Sequence, residues 1–292
     1  MKTLAPSELI LNADGSIYHL NLKPGDIATT IITVGDPDRV EAVTKHFDTI
    51  EISIHKREFK TQTGTYKGKR LTVISTGIGT DNIDIVFNEL DALVNIDFKT
   101  RTLKESHTTL KFIRIGTSGA IQSNIPVDSF LISEKAIGFD ALIHFYEASE
   151  MLDHDFSSAF MKHTNWNPNK PTPYVVNASK KLLKQFDEKI FQKGCTATNV
   201  GFYGPQGRRL RLKTQDEQLN AKLESFEYQE TKITNLEMET SGIYGLANLL
   251  GHEAISLNAI LANRSLGTFS TTPANTVERL IISTLEILVK KG

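Results

Sequence analysis

Short apolar runs rich in β-branched residues alternate along this chain with stretches whose apolar positions recur every three or four residues. Residues 27–34 show the first pattern and stop at Gly35-Asp36-Pro37; residues 38–46 show the second, with Asp36 placed to cap the helix. Residues 71–75 predict another strand, ended by Thr76-Gly77-Ile78-Gly79-Thr80 and followed by a helix over 83–93. Further strands are predicted over 112–115, 129–132, 232–236 and 254–261, with helices over 240–250 and 276–289. Repeated strand–turn–helix units argue for a largely parallel sheet covered by helices on both faces. The charged stretch 97–107 reads as a solvated insertion or an extension of the preceding helix, and 165–173, with three prolines, as a loop. Nothing resembles a linker or repeat, so the expectation is one domain over 1–292 with an insertion near 95–110.

Within this pattern Arg114 is out of place. It sits inside the apolar run Ile113–Ile115, and Gly116-Thr117-Ser118-Gly119 behind it reads as a turn. A guanidinium keeps its charge, so in a buried strand it needs a carboxylate or an anionic ligand beside it. The turn adds hydroxyls and backbone N–H groups that could face the same anion. An ion pair made for stability alone is the alternative.

Composition narrows the chemistry. Of 292 residues, 39% are hydrophobic and 23% charged, which permits a sizeable core. The formal net charge is −1, so no basic excess favours nucleic acid or membranes, and neither is expected as a partner. Cys195 is the single cysteine, which excludes an internal disulfide and any multi-cysteine metal centre. The first eleven residues are too polar for a signal peptide, and no long apolar run follows; the expectation is a soluble cytoplasmic protein.

Other strand ends carry unusual polar clusters: Gly35-Asp36-Pro37-Asp38-Arg39, Phe202-Tyr203-Gly204-Pro205-Gln206-Gly207-Arg208, and Glu237-Met238-Glu239. Each alone is a turn, a solvated face or a helix start, but strand ends of one sheet converge. Arg39, Arg114 and Thr117 suit an anion of phosphate size. Glu239 suits a vicinal diol. Gln206 and Arg208 suit a ring with adjacent carbonyl and N–H groups, and Phe202 offers a stacking face. No Walker-type loop and no Gly-x-Gly-x-x-Gly follows a strand.

These motifs, with His55 through Phe59, Ser75-Thr76-Gly77-Ile78-Gly79 and Asn235 through Glu239, resemble the nucleoside phosphorylase-I family and its uridine phosphorylase branch, in register from about Ile17 to Arg264. The resemblance implies a three-layer α/β/α fold with a central mixed, partly barrel-like sheet. It implies a pentosyltransferase acting in pyrimidine salvage, converting uridine and phosphate reversibly to uracil and ribose 1-phosphate. A purine phosphorylase or nucleosidase of the same fold is the near alternative, and a non-catalytic nucleoside-binding relative the distant one.

Residue by residue, the resemblance assigns Gly35, Arg39, Arg114 and Thr117 to phosphate, with Arg57 lent by a neighbouring subunit. It assigns Met238 and Glu239 to ribose, with His19 of the Tyr18-His19 pair also reaching across. Phe202, Gln206, Arg208 and Arg264 fall to the base, and Arg114, Gln206, Arg208 and Glu239 carry the catalysis. Asn263-Arg264 stands where purine enzymes of the family place an aspartate, which favours a pyrimidine. A homodimer is the implied minimum unit, with a hexamer as the larger assembly. No cofactor or metal is implied beyond phosphate as co-substrate. Some bacterial relatives bind potassium at the dimer interface; Glu58 and Ile78 match two of its positions, but Asn82 replaces a serine.

Overall fold

The computed structural model describes residues 3–187 and 189–290. The strands are β1 (Thr30–Val34), β2 (Thr49–Lys56), β3 (Phe59–Tyr66), β4 (Lys69–Ser75), β5 (Ile96–Asp97), β6 (Thr102–Leu103), β7 (Lys111–Ala120), β8 (Phe130–Gly138), β9 (Tyr174–Asn177), β10 (Phe191–Thr198), β11 (Glu227–Tyr228), β12 (Thr231–Glu237), β13 (Glu253–Asn263) and β14 (Thr268–Phe269). The helices are α1 (Pro37–Thr44), α2 (Thr80–Asn95), α3 (His154–Thr164), α4 (Lys180–Gln185), α5 (Leu219–Ser225), α6 (Thr240–Leu249) and α7 (Pro273–Val289). Each main element foreseen from periodicity is present with shifted ends. No helix among the described residues is long and apolar enough to cross a membrane.

A twelve-stranded mixed sheet organises the chain, in the order β11-β12-β10-β8-β13-β7-β1-β4-β3-β2 with β9 and β14 attached at the side. Its centre is parallel: β1 lies between β4 and β7, and all five of its residues are buried, as expected of a strand covered on both faces. The hairpin strands β2 and β3 are antiparallel, as are β9 and β14, so the sheet is less parallel than the strand–helix alternation implied. Short turns such as that between Tyr66 and Lys69 permit this, because a hairpin needs no crossover helix.

One pairing bends the sheet into a barrel. Besides β10, β12 also pairs with β7, through Asn235↔Ala120 and Leu236↔Gly119. The strands β7, β13, β8, β10 and β12 thereby form a closed ring. Their interior must be filled by side chains, and much of that filling is polar: Ser133, Thr196, Asn235 and Asn258 are all fully buried.

Two readings of local sequence need correction. Residues 116–119 are not a turn; β7 runs straight through them to Ala120. Pairing to β13 continues at Gly116↔Asn258 and Thr117↔Ala259, so ladder hydrogen bonds outweigh the local glycine preference. Residues 96–103 form the small β5–β6 hairpin rather than a helix extension. Arg101 there donates to the carbonyls of Leu4 (3.0 Å), Ala5 (2.9 Å) and Leu9, tying the N-terminal segment to this hairpin.

Candidate active site

The polar strand ends foreseen from the sequence meet around one cavity of about 800 Å³. Gly35, Arg39, Arg114, Thr117, Phe202, Gln206, Arg208, Met238 and Glu239 all line it. So do Glu58, Ser118, Gly119, Glu237 and Phe269, which sequence reasoning had given no firm role.

At one end lies a pair of arginines. Arg39 stands in the first turn of α1, whose start is set by Pro37 and by Asp36, which accepts a bond from the Asp38 N–H at 2.9 Å. Its guanidinium has no hydrogen bond or ion pair among the described residues. Burial weakens its charge, and the neighbouring Arg114 adds to that effect. A partly buried cation facing a second cation, with no carboxylate in contact, is an arrangement an anionic ligand would relieve.

Arg114 is buried and fully committed. Its Nη2 lies 2.6 Å from Glu239 and 3.1 Å from Glu237, and its Nη1 donates to Asn258 Oδ1 at 3.1 Å. Burial alone would weaken the charge, but Glu237 and Glu239 outweigh it and hold the guanidinium above its usual range. Burial pushes the Glu239 carboxyl up, opposed by Arg114 and helped by Glu237. Glu239 also accepts from the Gly79 N–H at 2.9 Å, which ties the β4–α2 turn to the site. Glu237 receives the Thr240 N–H at 2.9 Å and the Glu239 N–H at 2.9 Å, which caps α6 and holds the Glu239 backbone at the helix start.

Gly116 is what lets Arg114 lie as it does. A Cβ on Gly116 would stand 1.8 Å from Arg114 Nη1 and 2.4 Å from Cζ, so the guanidinium folds across bare backbone. The glycine is needed for this close approach, not for a turn.

At the other end, Gly204–Gln206 form a single 3-10 turn that buries the Gln206 side chain. Arg208 donates to Gln206 Oε1 and, at 2.7 Å, to the Phe202 carbonyl, while its guanidinium lies 3.7 Å from the centre of the Phe202 ring. One face of Phe202 is therefore covered by Arg208, not open for stacking as its sequence position suggested. Arg264 does not reach the cavity wall. It stands behind, donating to the Gln206 carbonyl at 2.6 Å, and burial, aided by Arg208, pushes the pKa of its guanidinium down to about 10.

His19 and Arg57 are also absent from this cavity. His19 is held outside by Glu89 of α2, which accepts from the ring Nδ1 at 2.6 Å and from the backbone N–H of Leu20 at 2.8 Å. Arg57 occupies the β2–β3 turn with φ 57° and lies 5.9 Å from the Tyr18 ring, while its neighbour Glu58 lines the cavity.

Two groups of side chains bring together atoms of the kinds that ligate cations. Near Glu58, the Asn82 amide Nδ2 donates to the Ile78 carbonyl at 3.4 Å. Far from the cavity, Asp91, His107 and His252 bring their donor atoms within 4.8 Å of one another. The Leu110 N–H donates to His252 Nδ1, and the buried Nε2 of the same ring lies 3.2 Å from Asp91 without forming a hydrogen bond. Cys195 is fully buried, and burial pushes its thiol up to about 12, so it is inert.

A family model described as the phosphorylase superfamily matches residues 29–288. The chain belongs to this superfamily. It is 30% identical over 266 residues to a uridine phosphorylase of Thermococcus kodakarensis, covering 88% of this chain and 80% of the relative. It is 29% identical over 245 residues to a DeoD-type purine nucleoside phosphorylase of Alkaliphilus metalliredigens, covering 82% and 84%. Among solved structures, a Trypanosoma brucei nucleoside phosphorylase described as showing uridine phosphorylase activity superposes with a TM-score of 0.87 at 29% identity, covering 96% of this chain and 99% of that one. Superfamily membership agrees with a mixed sheet that closes on itself at one end.

Proposed function

We propose that this protein is a pentosyltransferase that cleaves uridine with inorganic phosphate, reversibly, to uracil and ribose 1-phosphate. The observation that carries this reading is the division of one cavity: an unpartnered Arg39 beside Arg114 at one end, Gln206 and Arg208 at the other, and Glu239 between strand end and helix start. Phosphate occupies the arginine end, the ribose hydroxyls face Glu239, and the uracil edge meets Gln206 and Arg208. Bond cleavage then relies on placement of phosphate against the anomeric carbon and on donors facing the departing base, with no protein nucleophile. In this reading the enzyme serves pyrimidine salvage in the cytoplasm, where inorganic phosphate is at hand.

The purine alternative stays in view because a DeoD-type purine phosphorylase matches at nearly the same identity. Against it, the carboxylates lining the cavity are Asp36, Glu58, Glu237 and Glu239; the 202–208 loop and Asn263-Arg264 contribute none to protonate a purine leaving group. Ultraviolet turnover of uridine and inosine, each with and without phosphate, decides the matter. Uridine cleavage that requires phosphate supports the reading; inosine turnover, or cleavage of either nucleoside without phosphate, refutes it.

Base recognition makes a separate prediction. Gln206→Ala should lower kcat/KM for uridine on the order of 10²-fold, since a buried polar contact to the leaving group is lost. Phosphate KM should stay near its wild-type value. A rise in phosphate KM with unchanged uridine kcat/KM would remove Gln206 from the base end.

We further propose that the working unit is at least a dimer, with His19 and Arg57 serving a neighbouring cavity. Both sit outside the chain's own cavity on well-held surface segments, which suits delivery to another subunit. Arg57→Ala and Arg114→Ala proteins, each inactive alone, should regain activity when unfolded together and refolded, because a mixed dimer rebuilds one intact site. Refolded mixtures that stay as inactive as either parent would show the site is not shared.

A further inference from the structure

The closed barrel contains a chain of hydrogen bonds that passes through all five of its strands and returns to the first. It starts at Arg114 on β7, whose Nη1 donates to Asn258 Oδ1 on β13 at 3.1 Å. Asn258 Nδ2 then donates to Ser133 Oγ on β8 at 3.3 Å, and Ser133 and Thr196 on β10 share a bond of 2.5 Å. Thr196 donates to Asn235 Oδ1 on β12 at 2.8 Å, and Asn235 Nδ2 donates to Ser118 Oγ, back on β7, at 2.9 Å. Every intermediate member is fully buried, so water cannot substitute for a missing partner.

The direction of this chain is set at one end. A guanidinium can only donate, so Asn258 must turn its carbonyl oxygen to Arg114 and its amide nitrogen to Ser133. Ser133 then accepts from Asn258 and keeps its own proton for Thr196. Thr196, having accepted, directs its proton to the carbonyl oxygen of Asn235. The Asn235 amide nitrogen is left for Ser118, which accepts. The hydroxyl proton of Ser118 has no acceptor among the described residues, and Ser118 lines the active-site cavity.

From this we infer that the buried ring Asn258–Ser133–Thr196–Asn235 is a one-way positioning relay, which carries the donor polarity of Arg114 around the barrel and presents the Ser118 hydroxyl as a donor to the nucleoside. The inference rests on the phosphorolysis reading above. Ser118 serves the nucleoside rather than the phosphate because of its neighbours. Gly119 beside it packs against Arg264, with the Gly119 Cβ position 3.7 Å from the Arg264 side chain, and Arg264 in turn holds the Gln206 carbonyl at 2.6 Å. The Ser118 hydroxyl itself lies 2.9 Å from Asn235 on β12, the strand that leads into Met238 and Glu239, the pair read above as facing the ribose.

Thr196 is the link that can be cut without touching the cavity, since it does not line it. In Thr196→Val the Asn235 carbonyl keeps only Thr234, whose hydroxyl is 3.0 Å away and has the Cys195 carbonyl, at 2.9 Å, as a second acceptor. The Asn235 amide is then free to turn over, offering its oxygen to Ser118 and drawing the hydroxyl proton out of the cavity.

The test compares wild type, Thr196→Val, Thr196→Ser, Ser118→Ala and the Thr196→Val/Ser118→Ala double variant, varying uridine and phosphate separately. Thr196→Val should lower kcat/KM for uridine roughly five- to tenfold, the effect of one misplaced donor, with phosphate KM within about twofold of wild type. Thr196→Ser, which keeps the hydroxyl, should recover most of that loss. The double variant should be no slower than Ser118→Ala, because the relay acts only through Ser118. Fully additive losses, a parallel rise in phosphate KM, or a serine variant as impaired as valine would each overturn the relay. Wild type assayed on uridine and inosine separates the two failures: no phosphate-dependent turnover of either removes the functional reading and the relay together. Wild-type turnover with an unimpaired valine variant removes the relay alone.

Discussion

Arg114→Ala should lose phosphate-dependent uridine turnover by at least 10²–10³-fold, the loss typical of removing one charge-stabilising group from a preorganised site. The effect should exceed that of any other single substitution in the cavity, because Arg114 performs three tasks. It meets the anion end of the cavity, fixes Glu239 at 2.6 Å, and sets the orientation of Asn258 at 3.1 Å. Its removal also strands Glu237 and Glu239, two buried carboxylates that share its charge. Breaking buried pairs in this way costs about 3–5 kcal/mol of stability, so the variant should melt at lower temperature. Arg114→Lys separates the two consequences. A lysine keeps one positive charge near the glutamates but lacks the planar fork, so it should recover much of the stability and little of the rate. Steady-state kinetics with phosphate varied, alongside thermal melts, reads both. An alanine variant that keeps wild-type kcat/KM for phosphate would remove Arg114 from the mechanism.

The second large effect should come from a residue with no side chain. Gly116→Ala places a methyl group 1.8 Å from Arg114 Nη1 and 2.8 Å from Nη2, distances no relaxation of the methyl itself can relieve. The guanidinium must swing away from Glu239 and Asn258, and misplacement of this order typically costs about 10² in rate. Stability should fall by only about 1–3 kcal/mol, the usual range for overpacking, because Gly116 has no left-handed backbone and alanine suits its strand. A folded alanine variant with raised phosphate KM and reduced kcat is the expected result. Unchanged kinetics would mean the orientation of Arg114 is not set by the space over Gly116.

Much of the architecture was legible in the order of residues because the signals were local. The apolar run of β1, the Asp36 cap before Pro37 and the periodicity of α7 each depend on neighbours within a few positions. The same locality misled at 116–119, where a glycine-rich stretch looks like a turn. Pairing of β7 with β13 from Lys111 to Ala120 overrode it, and that pairing joins residues far apart in the chain. The candidate site divides in the same way. Arg114, Glu239, Gln206 and Arg208 stood out as polar groups at strand ends, where ligands bind in α/β sheets. Thr196 gave no comparable signal, Asn235 entered only as the edge of a motif, and the Ser118 hydroxyl was read toward the anion, since serine, threonine and asparagine inside strands usually satisfy themselves locally.

By itself the chain determined which residue types stand at the ends of its strands, and so which chemistry the protein offers: guanidinium groups for an anion, a carboxylate for hydroxyls, an amide and an arginine for a polar ring. Tertiary structure alone decided how these groups are aimed. It withdrew Arg264 behind Gln206 and covered one face of Phe202 with Arg208. It kept His19 and Arg57 out of the chain's own cavity and, through the β12–β7 pairing, closed the ring of hydrogen bonds that ends on Ser118. The physical reason is that a hydrogen bond's direction depends on every donor and acceptor within reach, and five strands distant in sequence supply those partners only once the barrel has closed.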